Sequence, residues 1–436
     1  MFRRLINLIL LIVALFSVFL ILVSPLFLFT GSFANSLKLS FAKQKISSKS
    51  LFVYSWRAIK NQYIDSSMNN QDWNKWKNRY IKKIKNDDDV VVAVNTMLAS
   101  LNDPYSEFFN PEKFSKQNKL LLESNQFSNF QIPKIQIFKK NKVSIPSPSI
   151  KILLTTIAGV VTKAQVVQGS KLCKEIKAGD EIVRIDGYSL FGLDVHAALK
   201  LINGKNITQR LEIADDKKLK TVTVISGCLN TRKIDSRILP DNILLISVYS
   251  LIGFNSPVEF IKCLNNPDVK GIVVDLRGNV GGSFPNVIFI ADMLTGKGLI
   301  TTIEYRNQTK IKVTAQSQND YEINKPLVIL VDGRTASACE ILAGALKFNN
   351  RAILVGMPTF GKNSVQNIVP LHNGMGMNIT IARYLLGNNV DIGSVGIEPD
   401  YKVNITYQDI LNKKDRQLQK AIEVINKITA KKIDKD

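Results

Sequence analysis

Two side chains of this sequence can do chemistry together: Ser337 and Lys362, 25 residues apart in the stretch Pro326 to Gln366, PLVILVDGRTASACEILAGALKFNNRAILVGMPTFGKNSVQ. A serine hydroxyl becomes a nucleophile when a base takes its proton. Histidine, the usual base, is scarce. The chain has only His196, inside the amphipathic pattern DVHAALKLI, and His372, in a Leu-His-Asn-Gly turn. A Ser-His-Asp triad is poorly supplied, whereas a Ser-Lys pair follows the same logic. Lysine is a base only when neutral. Its ordinary pKa of roughly 10.4 must be depressed, which apolar neighbours such as Phe360 and Val365 are placed to do.

These groups need elements to hold them. Leu327 to Val331 is a β-branched, apolar run closed by Asp332-Gly333, the pattern of a buried strand ending in a turn. Ala338 to Leu346 carries Ile341, Leu342, Ala345 and Leu346 at helical spacing, so Ser337 stands where strand gives way to helix. The first-turn N–H groups of a helix lack intrahelical partners and attract negative charge. A second strand, Ala352 to Val355, leads to Thr359-Phe360-Gly361-Lys362. Upstream, the spacing predicts strands at Ile243 to Val248 and Gly271 to Asp275, with helices at Ser256 to Leu264 and Phe284 to Leu294. Such alternation argues an α/β architecture with parallel strands. Met377 to Tyr384 alternates as a strand. Asp415 to Lys431 puts Leu418, Ile422, Ile425 and Ile428 on one helical face, a stripe for core or dimer packing.

T-A-S-A-C-E followed by T-F-G-K-N-S-V-Q resembles the signature of the C-terminal processing (tail-specific) peptidases, serine proteases with a Ser-Lys dyad and an embedded PDZ domain. The resemblance implies that Ser337 is the nucleophile, Lys362 the general base, Gln366 the residue that orients the lysine, and the Ala338 N–H an oxyanion donor. Asp275-Leu-Arg-Gly-Asn-Val-Gly-Gly282 is similar to the family's D-L-R-x-N-P-G-G run, with Val280 in place of proline. Its glycines let backbone N–H groups approach a carbonyl oxygen, so Gly281 or Gly282 is the candidate second donor. Asp275 and Arg277 are expected to pair structurally. Gly396-Ile-Glu-Pro-Asp400 resembles the close of the family's protease core. Cys339 and Phe348 depart from the pattern: the family usually has a second serine at the first position and often an acidic residue at the second. No metal or cofactor is called for.

The resemblance extends beyond the dyad. Ala99-Ser-Leu-Asn-Asp-Pro-Tyr-Ser106 is similar to the motif that ends the family's helical N-terminal region, a region that implies subunit association. Gly179-Asp-Glu-Ile-Val-Arg-Ile-Asp-Gly187 is similar to a PDZ run, with a helix to follow over Ala197 to Ile202 and a closing strand over Lys220 to Ile225. Val195 and Leu199 are the candidate contacts for an extended C-terminal peptide added to the sheet edge. The carboxylate loop of such a domain falls near Ser128 to Ile132, where SNFQI contains no glycine. A different class of function therefore stays open, a membrane-tethered PDZ scaffold with impaired catalysis. Intact Ser337, Lys362 and Gln366 weigh against it.

Composition sets the remaining bounds. Arg3 and Arg4 precede an apolar run from Leu5 to Phe29, long enough to cross a bilayer, which needs about 20 residues. Residues 1–34 are read as an uncleaved anchor, with a cleavable signal peptide ending near Ala34 as the alternative. The positive-inside rule then puts everything after residue 35 on the exported, periplasmic side. The expected organisation is the anchor at 1–34, a helical region at 35–123, a PDZ domain at 124–230, a Ser-Lys peptidase core at 238–405 and a helical tail at 406–436. The net charge of +22 comes from dispersed lysines without a nucleic-acid motif, and reads as a solvated surface attracted to anionic headgroups. Cys173, Cys228, Cys263 and Cys339 contain no C-x-x-C pair; a Cys173–Cys228 disulfide is permitted but not implied.

Overall fold

The computed structural model describes residues 45–116, 150–168, 175–204, 208–215, 218–225, 229–231, 233–252, 256–264, 268–316 and 325–433. The apolar run 5–29, the loop Ser128 to Ile132, Cys173 and Cys228 lie outside these residues. No helix among the described residues is long and apolar enough to cross a membrane. The chain divides into two compact units, residues 1–142 with 366–379, and residues 143–365 with 380–436.

In the first unit three helices, α1 (Ser48–Gln62), α2 (Trp73–Tyr80) and α3 (Asp87–Ser100), are followed by the short strand β1 (Glu107–Phe109). Ser47 caps α1 by accepting from the Ser50 N–H, and the helix buries Leu51, Phe52, Trp56 and Ile59 on one side. Trp56 and Trp73 lock α1 to α2, each indole N–H donating to the other's carbonyl at 2.9 and 3.2 Å. Asn86 and Asp89 form a capping box at the start of α3. Asp103 turns the chain, accepting from the Tyr105 N–H and the Ser106 hydroxyl. β1 then pairs antiparallel with Gly376 to Asn378.

The second unit opens with a β-rich domain: β2 (Ile150–Ile157), β3 (Val160–Gln168), β4 (Glu181–Ile185), β5 (Tyr188–Ser189), helix α4 (Val195–Ile202), β6 (Thr208–Asp215), β7 (Lys218–Ile225) and β8 (Leu229–Thr231). The strands run in the order β7-β6-β4-β3-β2-β8, with β5 beside β4. Val195, Ala198 and Ile202 of α4 fall at helical spacing and are buried in this domain's core.

A second sheet carries the alternating part of the chain. From Ile234 onward the elements are β9 (Ile234–Leu239), β10 (Ile243–Val248), α5 (Ser256–Leu264), β11 (Gly271–Asp275), α6 (Phe284–Thr295), β12 (Gly298–Tyr305), β13 (Lys310–Ala315), β14 (Leu327–Val331), α7 (Ala338–Phe348), β15 (Ile353–Gly356), β16 (Ser364–Pro370), β17 (Gly376–Leu385), β18 (Tyr401–Lys402), α8 (Tyr407–Leu411) and α9 (Arg416–Ile433); β12, β13, β16 and β17 belong to a separate sheet, and the second sheet takes the other six strands. The order is β18-β15-β14-β11-β10-β9, parallel throughout except for the β10–β9 pair. Every residue of β11 and β14 is buried, because helices cover both faces. Residues from α6 and α7 pack on one face and Ala421, Val424 and Ile425 of α9 on the other. The apolar stripe of α9 is therefore core packing. The hairpin β12–β13, absent from the sequence reading, pairs antiparallel and extends from the second half of β17.

Arg277 binds α9 to the end of β11. Its guanidinium is only 1% exposed and reaches Asp275 at 2.7 Å and Asp415 at 2.8 Å, while a further N–H donates to Gln417. Burial, the largest single influence, works to lower its pKa, but buried Asp275 and half-buried Asp415 hold it well above the usual guanidinium range. The expected Asp275–Arg277 pair is thus present and extends to a third residue. Replacing Arg277 by Ala strands both carboxylates. Urea denaturation of Arg277→Ala should show a loss of about 3–5 kcal/mol; a loss below about 1 kcal/mol contradicts this role.

Candidate active site

Ser337 is the N-cap of α7 and is held at φ 57° and ψ −121°. A non-glycine residue there is strained by roughly 1–3 kcal/mol. Ser337 and Lys362 are both half-buried, accessible but screened.

Glu340 explains how the backbone stays in place. This carboxylate is fully buried. Its Oε2 accepts from the Ser337 N–H at 2.8 Å and the Lys362 N–H at 2.9 Å. Its Oε1 accepts from the Gly361 N–H at 2.7 Å and the Thr359 hydroxyl at 2.6 Å. The Thr359 oxygen itself accepts from the Ile397 N–H, so its proton points to Glu340. Burial raises the Glu340 pKa above the usual carboxylate value, and the Thr359, Gly361, Ser337 and Lys362 donors offset only part of that rise. With four donors converging on two oxygens, the cage is shaped for a carboxylate.

Tyr384 closes the other side. This tyrosine is 1% exposed, and its hydroxyl lies within hydrogen-bond reach of the Ser337 carbonyl, at 3.0 Å, and of the Lys362 carbonyl. The same two side chains therefore hold both the N–H and the C=O of both residues. The sequence reading missed Glu340, Thr359 and Tyr384 as site residues. The glutamate was visible in T-A-S-A-C-E but had no assigned task.

The glycine turn after β11 reaches Ser337 directly. Asp332 accepts from the N–H groups of Gly278, Arg334 and Thr335, tying that turn to the one after β14. The Ala336 N–H donates to the Asn279 carbonyl at 3.1 Å. A Cβ on Gly281, whose φ is +113°, would lie 2.9 Å from the Ala336 carbonyl and 3.1 Å from the Ser337 Cβ, so only glycine allows this approach. The Gly281 N–H donates to the Asn279 side chain at 2.9 Å. Of the three candidate oxyanion donors, Gly281 is thus already engaged, which turns attention to Ala338 and Gly282. Gly282 lies against Leu251.

The other predicted residues fall as follows. Cys339 is fully buried, and burial pushes its thiol pKa up, so it offers no competing nucleophile. Phe348 sits at the far end of α7, eleven residues and about 16 Å along the axis from Ser337, and packs on Gly387. Gln366 is half-buried in β16. Val195 is fully buried in the β-rich domain, leaving it no surface for a peptide, whereas Leu199 is half-buried beside the same core. His196 is exposed on α4, and His372 packs edge-on against Tyr54.

Among the described residues the β-rich domain meets the glycine turn after β11 at Gly159 and at Val195. The Arg334 guanidinium donates to the Ala158 carbonyl at 2.6 Å. A Cβ on Gly159 would come within 2.7 Å of the Gly278 nitrogen, and the Val195 N–H donates to the Gly159 carbonyl.

The chain is similar to several known proteins. Residues 247–403 match the family model for peptidase family S41. The chloroplastic carboxyl-terminal-processing peptidase 2 of Arabidopsis thaliana is 29% identical over 364 residues, covering 80% of this chain and 68% of that protein. The carboxyl-terminal-processing protease of Synechocystis sp. is 27% identical over 391 residues, covering 86% of each. Among solved structures, a photosystem II D1 C-terminal processing protease is 25% identical with a TM-score of 0.54, covering 83% of this chain and 94% of that one.

The Glu340 cage makes two stability predictions. Glu340→Gln sets an amide NH2 against two donors and should cost about 3 kcal/mol in urea denaturation. Tyr384→Phe removes a donor but leaves the Ser337 carbonyl its bonds from the Glu340 and Ile341 N–H groups, so it should cost only about 1 kcal/mol. Equal, negligible losses for both contradict the proposed cage.

Proposed function

We propose that this chain, whose residues 247–403 match the family model for peptidase family S41, is a serine endopeptidase acting on protein substrates at or near their C-termini, with Ser337 as nucleophile and Lys362 as base. Neutral Lys362 takes the Ser337 proton as the hydroxyl attacks the scissile carbonyl. The amides of Ala338 and Gly282 stabilise the oxyanion, and Gln366 orients the lysine. The leaving amine takes the proton back from the lysine, and water, activated by the same base, releases the acyl group. The chemistry uses side chains and backbone alone.

The observation that carries this reading is the shared clamp on the two residues. Glu340 accepts from the N–H of Ser337 and of Lys362, and Tyr384 reaches the carbonyl of each. A fold has little reason to bind a strained serine and a distant lysine to the same two side chains unless their separation matters.

The β-rich domain over residues 150–231 is read as the PDZ domain, serving substrate recognition or control of activity. Its turn at Ala158-Gly159 abuts Gly278 and Arg334, so a ligand that shifts this turn bears on the loop leading to Gly281. The run Leu5 to Phe29 is read as a membrane anchor, with Arg3 and Arg4 on the cytoplasmic side and the peptidase on the exported side.

Cleavage of an unfolded protein by the purified chain tests the central assignment. Ser337→Ala and Lys362→Ala should each lower the rate on the order of a thousandfold or more with folding intact. Folded variants that cut at the native rate refute it, and a native chain that fails to cut over a broad alkaline pH range favours a scaffold.

A further inference from the structure

We propose that the outer face of α1, together with the basic segment after α2, is a docking surface for an anionic lipid bilayer. Residues 45–85 carry ten Lys or Arg against two Asp, in a chain whose totals are 58 and 36. Of these cations, Lys45, Lys49, Arg57, Lys75, Arg79, Lys82, Lys83 and Lys85 are exposed. The charge is therefore concentrated in one region of the first unit and faces solvent.

The shape of this region suits a lipid headgroup. The inner side of α1 is committed to the core, which leaves Lys49, Val53, Tyr54 and Arg57 outward at helical spacing. A cavity of about 400 Å³ opens there, with Ile46, Val53 and Ile81 as its apolar lining and Lys49 and Arg57 as its cations. Tyr54, at its edge, is 42% exposed. A phosphodiester pairs with the guanidinium and ammonium, while a tyrosine and short aliphatic side chains suit the boundary between headgroup and acyl chain.

The surface is also preformed. The Ile46 N–H donates to the Asn373 side chain at 2.9 Å, and Asn373 in turn donates to the Ile46 carbonyl and to Asp87. Ser48 donates to the same Asp87 at 2.6 Å. The start of α1 is thereby fixed, and its charges are presented on a rigid helix. A second copy of the chain is a poor occupant, because a two-fold contact would bring the same cations face to face. The inference is independent of the dyad and of whether residues 5–29 anchor the chain.

The three tryptophans, Trp56, Trp73 and Trp76, all lie in this region, so intrinsic fluorescence of the full chain reports on it alone. The full chain is reconstituted in phosphatidylcholine vesicles containing a nitroxide-headgroup lipid, with or without a share of phosphatidylglycerol. Quenching should rise about twofold or more in the anionic vesicles and return to the neutral level at high salt. Lys49→Glu with Arg57→Glu should abolish the increase, whereas Lys297→Glu with Lys427→Glu, exposed in the second unit, should preserve it. Equal quenching in both vesicle types overturns the proposal, as does indifference to the Lys49 and Arg57 reversal. A reversal whose only effect is on self-association in sedimentation also overturns it, assigning the face to a second copy.

Discussion

The site depends on one buried carboxylate. Glu340 accepts from the backbone of Ser337, Gly361 and Lys362 and from the Thr359 hydroxyl, so two segments more than twenty residues apart are referred to the same pair of oxygens. Without that anchor, Ser337 would have little to hold it at a positive φ. The Glu340 carboxylate that accepts from the N-cap N–H at the start of α7 also holds Ser337 in its unusual backbone conformation.

The architecture around this carboxylate follows from burial. β11 and β14 are buried on both faces, and both parallel strands end in turns that carry the working residues. Asp332 joins those turns through three N–H groups, and Gly281 lets the first turn lie against Ser337. Charge then fixes the far side of the sheet, where Arg277 ties α9 to β11. Rigidity at the site is built from these few polar groups, each buried and each with its partners.

The sequence made the strand–turn–helix around Ser337 legible because local signals agree there: a β-branched run, a polar turn and helical periodicity. Lys362 was legible as chemistry, though not as geometry. The task of Glu340 was not legible, since its partners fold back from 19 to 22 residues later, and Tyr384 comes 47 residues after Ser337. Val195 was read as a peptide contact because helical spacing gives a face without saying which way it points; Ala198 and Ile202 share its burial. The β12–β13 hairpin turns through Arg306-Asn307-Gln308, where Asn307 and Gln308 both have φ of 61°, without the glycine or proline that usually marks such a turn.

The central claim, that Ser337 is the nucleophile, is tested most directly by rapid quenching of the chain with an activated ester and mass analysis of its peptides. The account predicts one acyl adduct, on the peptide containing Ser337, forming in a burst that disappears in Lys362→Ala. An adduct on another residue, or turnover without any covalent intermediate, would contradict it.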